Sequence, residues 1–183
     1  MQTHLSSFNN SWYHPGQNAT IRLLWYFANV LFFRSPFNPS SGVKVFLLRL
    51  FGAKIGKDVT VKPAVNIKYP WRLTIGNHSW IGENTWIDNL ADVVIGNNCC
   101  LSQGAMLLSG NHNYKKSSFD LITGNIVLED GVWIGAQSMV CPGVTCKTHS
   151  VLSVHSVATA DLESYTIYQG NPAKEIRQRI ITE

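Results

Sequence analysis

From Ile55 onward an aliphatic residue, often followed by glycine, recurs every six positions: "IGKDVT", "VKPAVN", "IGNHSW", "IGENTW", "IGNNCC", "LSQGAM" and "IGAQSM". A period of six belongs neither to an amphipathic helix nor to a half-buried strand of an ordinary sheet. It marks a parallel β-helix, in which each hexad supplies one short strand and one turn, and stacked coils enclose a common core.

The aliphatic positions fall into triplets: Ile55, Val61, Ile67; Ile75, Ile81, Ile87; Ile95, Leu101, Leu107; Leu128, Ile134, Val140; and Cys146, Leu152, Ala158. One triplet makes one triangular coil, so the chain predicts about five coils. Between triplets the spacing is eight, eight, 21 and then six residues, and every insertion follows the third strand of a coil. All surplus chain therefore leaves from one edge of the prism. The aliphatic side chains are expected to point inward, with a slim residue two positions earlier, such as Ser79, Thr85, Ala105 or Ser138, near a corner. The following Gly or Asn is expected to supply the positive φ of a tight corner. Stacked strands lie about 4.8 Å apart. Handedness does not follow from the period.

Two apolar segments precede the prism, about 18–34 and 41–51, parted by the breaker "SPFNPSSG". Asn18 or Thr20, and Ser41, are candidate N-caps. The segments read as two helices that close the open end of the prism, where a strand edge would be exposed. Contact with a membrane surface is a compatible alternative, because Trp25, Tyr26 and several phenylalanines lie beside Arg22 and Arg34. The chain divides into an apolar helical segment packing on the prism (1–53), the hexapeptide β-helix (54–168) with an extended loop (108–125), and a C-terminal helix (169–183). Pro172 of "GNPAKEIRQRIITE" suits the first position of that helix.

Composition narrows the function classes. With 183 residues and 45% apolar content the chain is one domain with a small appendage. A net charge of +4, from 15 basic and 11 acidic residues without a Lys or Arg run, gives no sign of a nucleic-acid tail. Cys99, Cys100, Cys141 and Cys146 form no CxxC pair and no zinc spacing with histidine, and read as buried thiols. The N-terminus lacks the basic region and apolar core of a secretory signal, which fits a reducing cytoplasm. The apolar run Ile21 to Phe33 is broken by Arg22 and Asn29 and falls short of the roughly 20 residues that span a bilayer.

The repeats, the loop "LLSGNHNYKKSSFDLITGN" and the terminal "GNPAKEIR" resemble the left-handed β-helix hexapeptide acyltransferases, which include galactoside, maltose and streptogramin acetyltransferases. "IKYPWRLTIGNHSWIGENTWIDNLADVVIGNNCCLSQGAMLLSGNHNY", with "LFFRSPFNPSSGVKVFLLRLFGAKIG", is similar to the acetyltransferases of colanic-acid-type exopolysaccharide synthesis. The likeness runs from about Ile21 to the C-terminus. It implies an all-β fold, a left-handed parallel β-helix. It also implies O-acetyl transfer from acetyl-CoA to a sugar hydroxyl of an exopolysaccharide precursor, without a metal. The implied assembly is a homotrimer with sites between subunits. The apolar N-terminal segments, and not the likeness, are what could bring a cytoplasmic protein to the inner membrane face. Trp80, Trp86 and Trp133 on flat prism faces also favour association, since large exposed apolar patches are rare on monomers.

The one long break carries His112. One coil earlier the same edge carries Asp88 and Asn89, and another coil earlier Lys68 and Tyr69. Asp88 is therefore expected within about one strand spacing of the base of the His112 arm, giving a polar pocket at that edge. Histidine, which ordinarily titrates near pH 6.5, suits proton abstraction from a hydroxyl at neutral pH. By resemblance His112 is the general base, with one ring nitrogen held by a carbonyl or acid and the other facing the acceptor. In that polar pocket Asp88 is the candidate for binding the sugar or orienting His112, with Asn84 and Asn89 as further acceptor-pocket candidates. The likeness gives the oxyanion donor to the backbone N–H of Ala136, and Trp133 of the same strand is expected to contact the pantetheine arm. The rest of the coenzyme A groove falls to Val154, Thr159, Ala160, Lys174 and Arg177. Where many relatives read "TKD" this chain reads "TAD", so phosphate contact is expected from Lys174, Arg177 or Lys147. His149 and His155 read as surface residues. A zinc carbonic anhydrase on the same fold needs three histidines, and the loop supplies only His112. An acetyltransferase for another small acceptor, or a non-catalytic scaffold, remains open.

Overall fold

Stacking turns the three hexad positions into three flat faces in the computed structural model, which describes residues 2–182. Strands Lys54–Ile55, Leu73–Ile75, Val93–Ile95, Ile126–Leu128 and Thr145–Cys146 pair in parallel as the first face. Thr60–Val61, Trp80–Ile81, Cys100–Leu101, Trp133–Ile134 and Val151–Leu152 belong to the second. Asn66–Ile67, Trp86–Asp88, Met106–Leu108, Met139–Val140 and Val157–Ala158 form the third.

The register matches the triplets residue by residue. Ile55, Ile75, Ile95, Leu128 and Cys146 are successive partners on the first face. Val61, Ile81, Leu101, Ile134 and Leu152 follow on the second, and Ile67, Ile87, Leu107, Val140 and Ala158 on the third. Nearly all of these side chains are sealed from solvent, and their three columns are the core. Five coils are complete, and a bridge from Cys146 to Leu162 with strand Thr166–Gly170 begins a sixth. Each insertion runs from the third face to the first, so the surplus chain does share one edge.

The slim corner residues are buried and stitch one coil to the next. Ser79 Oγ donates to the Gly96 carbonyl at 2.8 Å and accepts from the Cys99 amide at 3.0 Å. Ser138 does the same between Ser153 and Ser156. Glycine's role differs from the expectation. A Cβ on Gly76 would stand 2.6 Å from the Gly96 carbonyl carbon, and one on Gly82 2.6 Å from the Leu101 oxygen. Glycine follows the aliphatic residue because the next coil's backbone passes there. The positive φ falls two residues later, on His78 (56°), Asn84 (58°), Asn98 (54°) and Gln137 (57°).

Helix α1 (Ala19–Ala28) runs into a π-helical turn (Asn29–Arg34), and α2 (Ser41–Leu50) follows. Asn18 caps α1 through the Ile21 amide. The cap of α2 is Ser40, which accepts from Val43, and not Ser41. Ser41 is needed elsewhere, because the helices close the first coil with one side-chain set per face. Arg49 donates to the Ile55 and Gly56 carbonyls. Ser41 donates to Val59 O and accepts from Val61 N. Trp25 Nε1 donates to Ile67 O at 2.9 Å, while Asn29 accepts from Ile67 N and donates to Asn66 Oδ1. Backbone groups at the first coil's open edge thereby find partners instead of remaining an exposed strand edge.

The C-terminus corrects the sequence reading. Residues expected to form a helix form a strand, Ala173–Gln178, antiparallel to Thr166–Gly170, so the expected boundary at 168/169 cuts through a strand. Thr166–Gly170 extends the second face beyond Val151–Leu152 and would end it in unpaired amides. The returning chain covers that edge, a demand that outweighs the helix preference of "AKEIRQR". All four cysteines are free. Cys99 and Cys146 are buried, and burial pushes the Cys99 thiol up to about 11, whereas Cys100 and Cys141 are half-buried.

Candidate active site

The long insertion folds into a two-stranded arm. Gly110–His112 pairs antiparallel with Leu121–Thr123, His112 facing Leu121. The arm springs from Ser109, whose amide and hydroxyl both donate to the Asp88 carbonyl, at 3.2 and 2.9 Å. Asp88 and Leu108 are register partners, so the carboxylate does sit one strand below the arm's base. It is largely buried, and Lys68 Nζ lies 3.0 Å from its Oδ1 as an ion pair without the angles of a hydrogen bond.

His112 is half-buried. Its Nδ1 lies 2.9 Å from the carbonyl oxygen of Phe119, which must accept, so Nδ1 carries the hydrogen. The Phe119 ring lies flat against the imidazole, with centroids 4.4 Å apart and planes 7° from parallel. Phe8 touches it at a tilt, 5.6 Å away. Among the described residues Nε2 has no partner. A neutral ring held this way presents Nε2 as a lone pair, the form a general base requires.

Phe8 belongs to an N-terminal strap that sequence reasoning missed. The His4 amide donates to the Ser117 carbonyl at the arm's tip. Further on, Tyr13 Oη donates to Leu90 O, Trp71 Nε1 to Pro15 O, and Arg72 to His14 O. Burial, with Tyr69 and Asp88 adding and Arg72 and Arg22 opposing, pushes the Tyr13 phenol up to about 12. The strap has no periodicity to betray it. Its aromatic residues, Phe8, Trp12 and Tyr13, were the available signal.

The other predicted residues separate into groups. Asn89 is fully buried, and its amide accepts from Tyr69 N at 2.9 Å and donates to Tyr69 O at 2.6 Å, so both polar ends serve the corner. Asn84 lies at the edge between the second and third faces, away from the Asp88 edge. Trp133, Ala136, Val154 and Arg177 converge on a cavity of about 580 Å³ along the second face, together with Ser102 and Arg179. Trp133 Nε1 donates to Ser102 Oγ at 2.9 Å. The Ala136 amide has no acceptor among the described residues. Thr159 and Ala160 lie past the last third-face strand, and Lys174 on the terminal hairpin, all outside this cavity. Lys147 is tied to Glu163 at 2.7 Å, which raises its pKa, and it too lies outside this cavity. Arg179, which the sequence reading passed over, reaches the cavity because the terminal residues return as a hairpin.

The fold is shared with solved structures. A maltose O-acetyltransferase from Clostridium difficile superposes with a TM-score of 0.80 at 19% identity, each chain covered to 90%. A hexapeptide-repeat acetyltransferase from Vibrio cholerae, complexed with acetyl coenzyme A, gives 0.79 at 23% identity, each covered to 88%. No family model matches the chain. The sequence is 35% identical over 171 residues to WcaF of Escherichia coli K12, named as a colanic acid biosynthesis acetyltransferase, with 93% of each chain covered. The chain belongs to the hexapeptide-repeat acetyltransferases. In this acetyltransferase the histidine arm occupies the edge between the third and first faces, while the second-face cavity lies across the prism from it.

Proposed function

We propose that this acetyltransferase transfers acetyl from acetyl-CoA directly to a sugar hydroxyl of an exopolysaccharide precursor, with His112 as general base. The observation that carries the reading is the Nδ1 contact to Phe119 O, which leaves Nε2 as the proton acceptor. As the hydroxyl oxygen bonds to the thioester carbon, its proton passes to Nε2. The carbonyl electrons collect on oxygen, where the Ala136 amide is the donor with no other acceptor, a contact worth about 3 kcal/mol in comparable sites. Re-forming the carbonyl breaks the carbon–sulfur bond, and the departing thiolate recovers the proton from Nε2. No covalent acyl-enzyme is required. Asp88, one strand below the arm, holds the acceptor.

Coenzyme A lies in the second-face cavity, its pantetheine against Trp133 and its phosphates near Arg177 and Arg179. That cavity and His112 are on opposite sides of one prism, so a neighbouring chain must bring its arm to the cavity. A threefold assembly does this at three equivalent interfaces. It also covers Trp80 and Trp133 on the second face, which are 59% and 47% exposed in the single chain. Light scattering on the purified protein tests the trimer. Coenzyme A release, paired with mass spectrometry of polymer made with and without the active protein, tests the transfer; a polymer unchanged in acetyl content would refute it.

The outer stripe of the helical segment, Leu23, Leu24, Phe27 and Leu31 with Phe37 and Phe46, is exposed, although no helix among the described residues is long and apolar enough to cross a membrane. A stripe of this kind suits lying on a lipid surface at the cytoplasmic face. Flotation with anionic liposomes tests it, and protein left at the bottom of the gradient rejects it.

A further inference from the structure

Charge is not scattered along this chain. No Asp or Glu precedes Asp58, whereas six Lys and Arg do: Arg22, Arg34, Lys44, Arg49, Lys54 and Lys57. Two of them line a cavity of about 270 Å³ between α1 with its π turn and the first strands of the third face. The cavity also holds Lys68, Asp88, Tyr26 and Trp86. Lys68 faces the Asp88 carboxylate, but Arg22 and Arg34 have no carboxylate partner among the described residues.

The π turn accounts for the pairing of the two arginines. Twelve positions apart on an uninterrupted α-helix, they would point about 120° away from each other around the axis. The wider turn at Asn29–Arg34 changes that register, and both reach the same cavity. Asn29, at the start of that turn, is pinned by its bonds to Asn66 and Ile67, so the turn is anchored to the prism. Three cations and one carboxylate leave the cavity with a formal charge of +2. Asp88 belongs both to its wall and to the base of the His112 arm.

We infer that this cavity binds a phosphoryl group carried by the acceptor, so that the sugar is presented as a phosphate or diphosphate conjugate and not as a neutral glycan. The inference rests on the acceptor role given to Asp88 above and names the class of acceptor. A dianion matches the surplus of two positive charges, and guanidinium groups engage phosphate oxygens in pairs of hydrogen bonds. Trp86 and Tyr26 offer flat apolar walls to a sugar ring.

The test uses the full-length protein. Coenzyme A binding and release are measured first, because their absence would sink the transferase reading independently of this one. With coenzyme A saturating its own cavity, inorganic pyrophosphate is then titrated at low ionic strength. The wild type is expected to bind it, and the double variant Arg22→Ala/Arg34→Ala to bind roughly a hundredfold more weakly with an unchanged thermal midpoint, while Lys57→Ala, at an exposed lysine outside both cavities, binds as the wild type does. No binding by the wild type, or equal binding by the double variant, overturns the inference. Competition separates the sources: displacement by glucose 1-phosphate supports a soluble conjugate, and displacement only by vesicles carrying a polyprenyl phosphate supports a lipid-borne one. Equal displacement by methyl glucoside or methyl glucuronide, or displacement by none of the four, counts against a phosphoryl site.

Discussion

His112 Nδ1 and the carbonyl oxygen of Phe119 are 2.9 Å apart, within an arm whose tip also stacks the Phe119 ring on the imidazole. The ring is thus held twice by one residue seven positions along the chain. Replacing His112 with Ala is expected to lower kcat roughly 10²- to 10⁴-fold, while calorimetry finds the affinity for coenzyme A unchanged. A parallel loss of coenzyme A binding would assign the histidine to the cofactor groove instead of to proton transfer.

Asn89 and Asn84, grouped together by sequence, should respond differently. Asn89→Ala leaves the Tyr69 amide without its acceptor and removes one of the two donors to the Tyr69 carbonyl, the Arg72 amide being the other, at a cost of about 1–3 kcal/mol in urea unfolding. Asn84→Gly, at an exposed corner already in left-handed backbone, should stay within about 1 kcal/mol of wild type. Comparable losses from the two would mean that Asn84 has a structural partner outside the single chain.

Glycine is required for close approach at Gly82 and only for conformation at Gly143. Gly82→Ala sets a methyl group against the Leu101 carbonyl and should destabilise by about 2–3 kcal/mol. A Cβ at Gly143 meets nothing within 4 Å, and the substitution there should cost about 1–2 kcal/mol, the ordinary penalty of positive φ. Thermal denaturation of the two variants distinguishes the causes.

The Tyr13 phenol couples the strap to alkaline pH. Its folded pKa of about 12 stands above the ordinary 10.0, so between these values the unfolded chain loses the proton first and holds fewer protons than the folded one. Stability from this group is therefore complete below pH 10 and declines as pH rises toward 12. Absorbance titration should find one of the six tyrosines ionising last, and Tyr13→Phe should flatten the alkaline limb of the melting curve. A limb of unchanged steepness in the variant would show that the phenol does not govern it.

Much of this architecture was written in one dimension. A core in which every sixth side chain points inward admits no other register, so Ile55 through Ala158 could be assigned to coils, and the breaks to one edge, by spacing alone. The position of Asp88 beneath the His112 arm followed from the same arithmetic, because stacked coils convert sequence distance into height.

Properties set by the ends and by side-chain competition were not legible that way. "AKEIRQR" has a helix former's composition, yet an open strand edge beside it made a hairpin more favourable, and only then did Arg179 reach the cavity of Trp133. The Asn89 amide looked available until its two bonds to Tyr69 were seen. The strap from His4 to Gly16 has no period, and the pairing of Arg22 with Arg34 depends on one π turn. Periodic burial is a local code that a sequence displays directly. The satisfaction of edges, amides and charges is decided among groups distant in sequence, and therefore only in the folded chain.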